Sequence, residues 1–408
     1  MPPPGTDQGV SKSQALVSIL LPDLAGAAAD NLAGAPDPTV LEQYFTWVIA
    51  DLNAKGGAGC HALVPQFVTA NPADQADLHA KCLDIVSAKP FAVIDLGAYT
   101  VYPSAATCYA DNHLPFFDAV LFPEKQRSQA YPYFFSGAPT AEVAYRNTIF
   151  ALKGLGFFDP AKGFKKIGFL YRSCASEISG EFEGWLQQAG VASSQIVTYD
   201  MGCPSALFAP PSDVAQAVLK FKSQGVTHVT EAGDELDINN FTTIAQQQGY
   251  KPQYGFPEDD SIENSTASGS SKADFDNLDG AIGITSSRRG EEHTAGVKPS
   301  AGTARCDAIF KAHGAPPTYQ QADGIGGGVC SEVWMLAAAM DHAPSLRRTS
   351  LAAGLHAAKS IDFSFTLGPN DFSGSGVTTG GQFWRTMQFF KSCSCWKVID
   401  QTFHPSFG

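Results

Sequence analysis

Three carboxylates stand in a row at Glu258, Asp259 and Asp260, where a helical pattern over 240–248, a Gly-Tyr-Lys-Pro step at 249–252 and a short aromatic segment at 253–256 come to an end. A strand that finishes on three acids raises the question of what they face. Other groupings have residue types for chemistry but not its spacing. The glycines of DGIGGGVCSEVW (323–334) would cradle a phosphate only if a strand delivered them to a helix start. APPTYQQA precedes them instead, so Gly326, Gly327 and Gly328 are expected to let a helix pack closely. DELDINN (234–240) lacks the sixth-place glycine and closing glutamate of a calcium loop. It reads as a loop with Asp237 or Asn239 at the helix start. The nine histidines include no HExxH and no pair at i, i+4, so no zinc site is expected. No G-x-S-x-G elbow and no phosphate loop of the G-x-x-x-x-G-K-[ST] kind occurs, which leaves no nucleophile with a base. Asn264-Ser265-Thr266 fits a glycosylation sequon, a pattern short enough to arise by chance.

The elements that must position these residues follow an α/β plan. ALVSILL (15–21), HALVPQFV (61–68), FAVIDLG (91–97) and FFDAVLF (116–122) read as strands with helical patterns between them. Apolar strands alternating with helices call for a parallel sheet covered on both faces. A second series repeats the plan: KKIGFLYR (165–172), SQIVTYD (194–200), THVTEAG (227–233) and QYGF (253–256), again with helices between. A surface segment (261–279), a strand at 280–287 and helices near 300–313 and 324–341 follow. The tail, with its Gly and Asn turns, predicts antiparallel hairpins.

Composition narrows the partners. A chain of 408 residues with 44% hydrophobic content can bury more than one core. With 27 basic against 40 acidic residues the formal charge is −13, which argues against a nucleic-acid or anionic-membrane surface. No run approaches the ~20 apolar residues that span a bilayer, so a soluble chain is expected. The polar start MPPPGTDQGVSKSQ reads as a tether, residues 1–14, or the remnant of a trimmed signal segment.

The order of these pieces resembles the type I periplasmic binding proteins, in the leucine/isoleucine/valine-binding branch of ABC-transporter solute receptors. The resemblance runs from Ala15 to Asp400 and rests on DLNAKGG, CLDIVSAKPFAVIDLGAYT, NHLPFFDAV, KKIGFLYR and FTTIAQQQGYKPQYGF in that order. It implies two flavodoxin-like (Rossmann-like) lobes joined by a three-segment hinge, with a strand-rich C-terminal tail. The implied division is an N-lobe of 15–138 plus 284–355 and a C-lobe of 139–283 plus 356–408. It also implies a solute in the interlobe cleft, where strand carboxyl ends meet. On this reading Glu258 matches the glutamate that pairs with a ligand ammonium, with Asp259 beside it. Ala98, Tyr99 and Thr100 would offer backbone N–H groups and a hydroxyl, Asp118, Ala119 and Leu121 would follow the fourth strand, and Cys174, Ser176 and Asp234 would complete the rim. Leu121 stands where amino-acid receptors of this kind carry Ser or Thr, and Cys174-Ala175 where they carry Tyr-Gly. Those departures leave room for a bulkier, more apolar solute held by Tyr99 and Phe117.

Nine cysteines test this layout. It allows bridges Cys60–Cys82, Cys174–Cys203 and Cys306–Cys330, leaves Cys393 and Cys395 to close a small ring or go elsewhere, and makes Cys108 a buried thiol. Connectivity is not fixed by sequence, but bridges favour an exported location. The expectation is therefore a monomeric, non-enzymatic, extracytoplasmic receptor, periplasmic or at the cell surface and tethered through a removed lipoprotein signal. It would need no cofactor or metal and no nucleic acid, and would pass a small molecule to an ABC permease. The alternatives are a sensory module of the same fold and, with no catalytic constellation to support it, an α/β enzyme.

Overall fold

The computed structural model describes residues 7–23, 37–99, 102–118, 121–172, 176–202, 209–232, 237–257, 273–315, 325–374 and 376–407. The chain first lays down β1 (Gln14–Pro22), α1 (Pro38–Ala54), β2 (Ala62–Ala70), α2 (Gln75–Ala88), β3 (Ala92–Asp95), α3 (Thr107–Asp111), β4 (Phe116–Asp118), α4 (Glu124–Gln129) and β5 (Phe134–Ser136). The five strands form one parallel sheet in the order β2-β1-β3-β4-β5. The apolar run of β1 is buried along most of its length, as a parallel strand covered on both faces requires. Helix α1 starts where Asp37 accepts from Thr39 N with Pro38 in the first turn, and turns Leu41, Phe45, Val48 and Leu52 inward.

A second sheet follows. It is built from α5 (Ala141–Gly154), β6 (Ile167–Tyr171), α6 (Ser176–Gln188), β7 (Ile196–Asp200), α7 (Pro211–Ser223), β8 (His228–Ala232), α8 (Asp237–Gln247), β9 (Gln253–Phe256), α9 (Phe275–Leu278) and β10 (Ile282–Thr285). Its strand order, β7-β6-β8-β9-β10, repeats that of the first sheet. The chain then returns to the first lobe. Helices α10 (Ala301–Ala312), α11 (Ile325–His342) and α12 (Leu351–Ala358) bury Phe310, Val333, Leu336, Leu351 and Leu355 in the same core as β1 and α1. After the small pair β11 (Ser360–Ile361) and β12 (Asn370–Asp371), the chain crosses back to the second sheet. There β13 (Phe383–Phe390) and β14 (Cys395–Val398) extend it antiparallel from β10, and β15 (His404–Pro405) pairs with β13. The antiparallel tail is the one the turn residues suggest.

The chain crosses between lobes three times, and the crossings are paired. Ser136 N donates to Thr378 O at 2.8 Å and Gly380 N to Ser136 O at 2.9 Å. Ser287 bridges Thr366 antiparallel, with Leu367 N to Ser286 O and Arg288 N to Phe365 O both at 2.8 Å. The boundary read from sequence at 283/284 falls inside β10, all four residues of which pair with β13 in the second sheet. The boundary at 355/356 falls inside α12, and beyond it Phe363 and Phe372 still fill the first core.

Disulfides join Cys82 to Cys108, Cys306 to Cys330 and Cys393 to Cys395, and Cys60 is a free, exposed thiol. The expected Cys60–Cys82 bridge is therefore corrected, and Cys108 is not a thiol. Six residues of α2 follow Cys82, roughly 9 Å of helix, so Cys82 is mid-helix and not at the sheet edge near Cys60. Its side chain is buried in the cluster that also holds Cys108. Cys306–Cys330 links α10 to α11, as expected from the layout. Cys174 and Cys203 lie outside the described residues.

Candidate functional site

In a sheet ordered 2-1-3-4-5 the chain leaves the first strand in opposite directions on its two sides, and a crevice opens beyond the strand carboxyl ends. Here those points fall between β1 and β3 in the first lobe and between β6 and β8 in the second.

In the first lobe β3 is wholly buried and ends on Asp95, in register with Leu20 of β1. Its carboxyl turns back over the chain. Ala98 N donates to Asp95 Oδ1 at 3.2 Å. Asp118, at the end of the neighbouring β4, is also fully buried, and the register of β3 on β4 sets it beside Asp95. Two buried carboxyls so placed favour holding a proton on one of them. Helix α11 brings a third carboxyl, Glu332, which is 1% exposed. It stands one turn beyond Gly328, where a Cβ would lie 3.4 Å from Leu96 Cδ1. Burial pushes Asp95 up to about 7. Burial, and after it the charge of Asp95, push Glu332 well above the usual carboxyl range. Asp95 Oδ2 and Glu332 Oε2 have no hydrogen-bond partner. Among the described residues no group of three or more His, Cys, Asp or Glu is arranged to hold a metal ion, so these acids are not a metal cradle.

The second lobe meets the same position differently. Arg172, directly after β6, is 3% exposed and donates from Nη2 to Asp237 Oδ2 at 2.7 Å. Asp237 opens α8, and its Oδ1 accepts from Ala209 N at 2.8 Å. The pair ties the end of β6 to the start of the helix after β8.

A cavity of about 280 Å³ lies on the second and third crossings, lined by Arg288, Arg289, Glu292, Thr303, Asp307 and Phe365 among others. Burial pushes Glu292 up to about 7. Beside it Glu291 accepts from Arg385 Nη1 at 2.7 Å and Arg288 Nη1 at 3.3 Å, an ion-pair cluster that ties the second crossing to β13.

Of the residues anticipated from sequence, Ala98 and Tyr99 lie in the turn that Asp95 holds. The Tyr99 ring is fully buried, its OH donates to Tyr109 OH at 3.0 Å, and it packs edge-on to Phe116. Phe117 is equally buried and stacks on Phe135 at 4.8 Å. These rings fill the core instead of lining a pocket for an apolar solute, and Tyr99 has only main chain to offer the crevice. The reason is local: the grip of Asp95 on the turn sends Tyr99 back under the sheet edge, where Tyr109 satisfies its hydroxyl. Asp118 sits beneath the rim with Asp95. Leu121 is partly buried and packs on the second-lobe cluster containing Ala141 and Tyr145. Ser176 opens α6. Thr100, Ala119, Cys174, Asp234, Glu258 and Asp259 lie outside the described residues. Asp95, Glu332 and Arg172 were not anticipated. The readable mark was there for two of them: Asp95 is the only charge in FAVIDLGAYT, and Glu332 the only one in GIGGGVCSEVWMLAAAM.

A family model described as periplasmic binding protein matches residues 38–393. No curated protein matches the sequence. Among solved structures, a fatty acid ABC transporter substrate-binding protein from Thermomonospora curvata is similar with TM-score 0.67 and 13% identity, over 99% of this chain and 94% of that one. A solute-binding protein of an ABC transporter from Rhodopseudomonas palustris BisB5, in complex with 3,4-dihydroxybenzoic acid, gives TM-score 0.65 and 14% identity over 97% of each chain. An ABC transporter substrate-binding protein from Desulfitobacterium hafniense, in complex with Leu, gives TM-score 0.62 and 15% identity over 96% and 100%. At such identities the likeness is one of fold.

Proposed function

Because this chain belongs to the periplasmic binding protein family, we propose that it is an extracytoplasmic solute receptor which captures a small molecule between its lobes and delivers it to an ABC-type permease. The observation that carries the reading is architectural. Two sheets of one strand order each open a crevice beyond their strand carboxyl ends, and three crossings join them, so that rotation about Ser136, Ser286–Ser287 and Thr378–Gly380 would bring the rims together. Such a hinge has a use only if something is held between the rims. A monomer acting without enzymatic chemistry fits this reading, as does a lipoprotein tether at the N-terminus. The lobe boundaries consistent with the strand pairing are near 137–140, 286–300 and 373–382.

The solute class follows less directly. The similar structures named above hold leucine or a dihydroxybenzoic acid, or belong to fatty-acid transport, so one frame takes solutes of very different polarity. An amino acid or related amine or amide suits Glu258 as the partner of an ammonium group, in the segment that follows Pro257. A ligand shifts lobe closure only by its differential affinity for the closed form. Mass spectrometry of the small molecule that copurifies identifies the solute, and small-angle scattering with and without it should show compaction. A solute that raises the melting temperature while leaving the scattering profile unchanged would contradict the hinge reading.

A further inference from the structure

The Asp95 carboxyl reaches back over the turn 96–99. Ala98 N donates to Asp95 Oδ1 at 3.2 Å, closing the turn back on the end of β3. A carboxyl accepting from a main-chain N–H is best ionised, yet Asp95 lies wholly buried beside a second buried carboxyl, Asp118. The groups facing it are few. Leu20 stands opposite it on β1 and is apolar. Asp118 comes from β4 and Glu332 from α11, Tyr99 from the turn itself and Tyr109 from α3. None of these carries positive charge. Burial pushes Tyr99 and Tyr109 upward as well, so both stay neutral where carboxyls titrate. Asp95 Oδ2 and Glu332 Oε2 remain without a partner. A proton is thus the positive charge this pocket of acids contains.

We infer that Asp95 is the positioning residue of the first-lobe rim, and that the proton it shares with Asp118 decides whether the turn 96–99 keeps its shape. With the proton in place, the pair carries one negative charge, Asp95 accepts from the turn, and β3 and β4 stay bound at their carboxyl ends. When the proton leaves, two like charges stand in contact in a buried site. The cheapest relief is to move Asp95 toward water, and the turn bonded to it through Ala98 N moves with it. The rim that is proposed to meet a solute would then change shape with proton occupancy. The inference concerns the regulation of the site proposed above and rests on that reading for its biological meaning. The behaviour of the turn does not depend on it.

The test is amide hydrogen exchange on the free protein, corrected for the intrinsic pH dependence of exchange, at the N–H group of Ala98. Burial places the loss of the shared proton near pH 7, a midpoint that belongs to the pair. Protection in the wild type is expected to fall about ten-fold or more between pH 6 and pH 8, the equivalent of one unit of pKa, while the strands β6 and β8 keep theirs. Asp95→Asn retains an acceptor for the turn and gives Asp118 a donor, so its protection should be the same at both pH values. Asp118→Asn removes the other of the two like charges and should flatten the profile equally. This second variant keeps the test decisive should the first fail to fold. Asp95→Ala, which removes the acceptor, should lose protection at every pH. A wild-type profile that is flat from pH 6 to pH 8 would overturn the inference. So would a fall that persists in either Asn variant, or one shared by the amides of β6 and β8.

Discussion

In the first lobe Asp95 and Asp118 lie buried side by side at the ends of β3 and β4 with Glu332 close by, whereas in the second lobe Arg172, just after β6, pairs with Asp237 at 2.7 Å. Strand order and parallel pairing are alike in the two lobes. Topology therefore settles where a crevice forms and leaves open how its floor is charged. The second lobe carries its own counter-charge within the protein. The first relies on protons, because its described neighbours are acids, phenols and apolar groups. A buried pair with its counter-ion is vulnerable to loss of one partner, and a buried cluster of acids to a rise in pH.

The largest effect should come from breaking the ion pair. Asp237→Ala leaves the Arg172 guanidinium buried without its carboxylate and Ala209 N without its acceptor. An uncompensated buried charge of this kind costs about 3–5 kcal/mol, to be read from urea unfolding. Adding Arg172→Met should recover most of the loss, since a well-packed apolar residue replaces a buried charge at little cost. A double variant as unstable as the single one would show that Asp237 acts mainly through Ala209 N, and the contrast between the lobes would lose its electrostatic basis.

A smaller effect of opposite character belongs to the first lobe. The folded state holds the Asp95 proton up to about pH 7, against an ordinary value of 3.8. Between these limits the folded protein binds more protons than the unfolded chain, so stability falls as pH rises from about 4 to about 7 and levels off above that. Each unit is worth about 1.4 kcal/mol. A buried pair that relaxes on ionising will give less than the full shift, so about 2–4 kcal/mol is expected across the window. Asp95→Asn should remove most of this slope, leaving the variant more stable relative to wild type at pH 8 than at pH 5. Equal slopes in the two proteins would mean that Glu332 or another acid sets the pH dependence.

How far this contrast was legible in the sequence differs between the lobes. Strand and helix order was readable because apolar runs such as ALVSILL and KKIGFLYR are long and cleanly bounded. The sheets follow from them once parallel connections are assumed. The three-residue strand β5 (Phe134–Ser136) was not readable, since so short a run has no period. Asp95 and Glu332 were visible as single charges in apolar stretches, yet their meeting depends on α11 returning to the first lobe some 230 residues after β3, counted along the sequence. Arg172 looked like a strand end and Asp237 like a cap, and only the fold shows that they need each other. The Cys82–Cys108 bridge escaped for the same reason: the direction in which a helix points its side chains is a tertiary fact, and Cys82 faces α3, away from Cys60.

The smallest expected effect separates acids that serve the fold from acids proposed to serve a solute. Asp95 lies at the buried end of β3, and altering it should change stability with or without ligand. Glu258 follows Pro257 in the sequence, directly after the last residues of β9. Glu258→Gln keeps the shape and removes the charge, so the free protein should unfold within about 0.5 kcal/mol of wild type, as surface substitutions generally do. If the copurified solute carries an ammonium group, the same change should weaken its binding by about 2–5 kcal/mol. That is the usual cost of breaking one side of a buried, hydrogen-bonded charge pair. With a neutral or anionic solute, binding should be unchanged or tighter, and the hydroxyl missing at Leu121 suits such a solute. Calorimetry on the wild type and this variant distinguishes the two. A marked loss of stability in the free variant would place Glu258 with Asp95, among the acids that hold the fold, and undo the distinction between rim and floor on which the proposed solute contact depends.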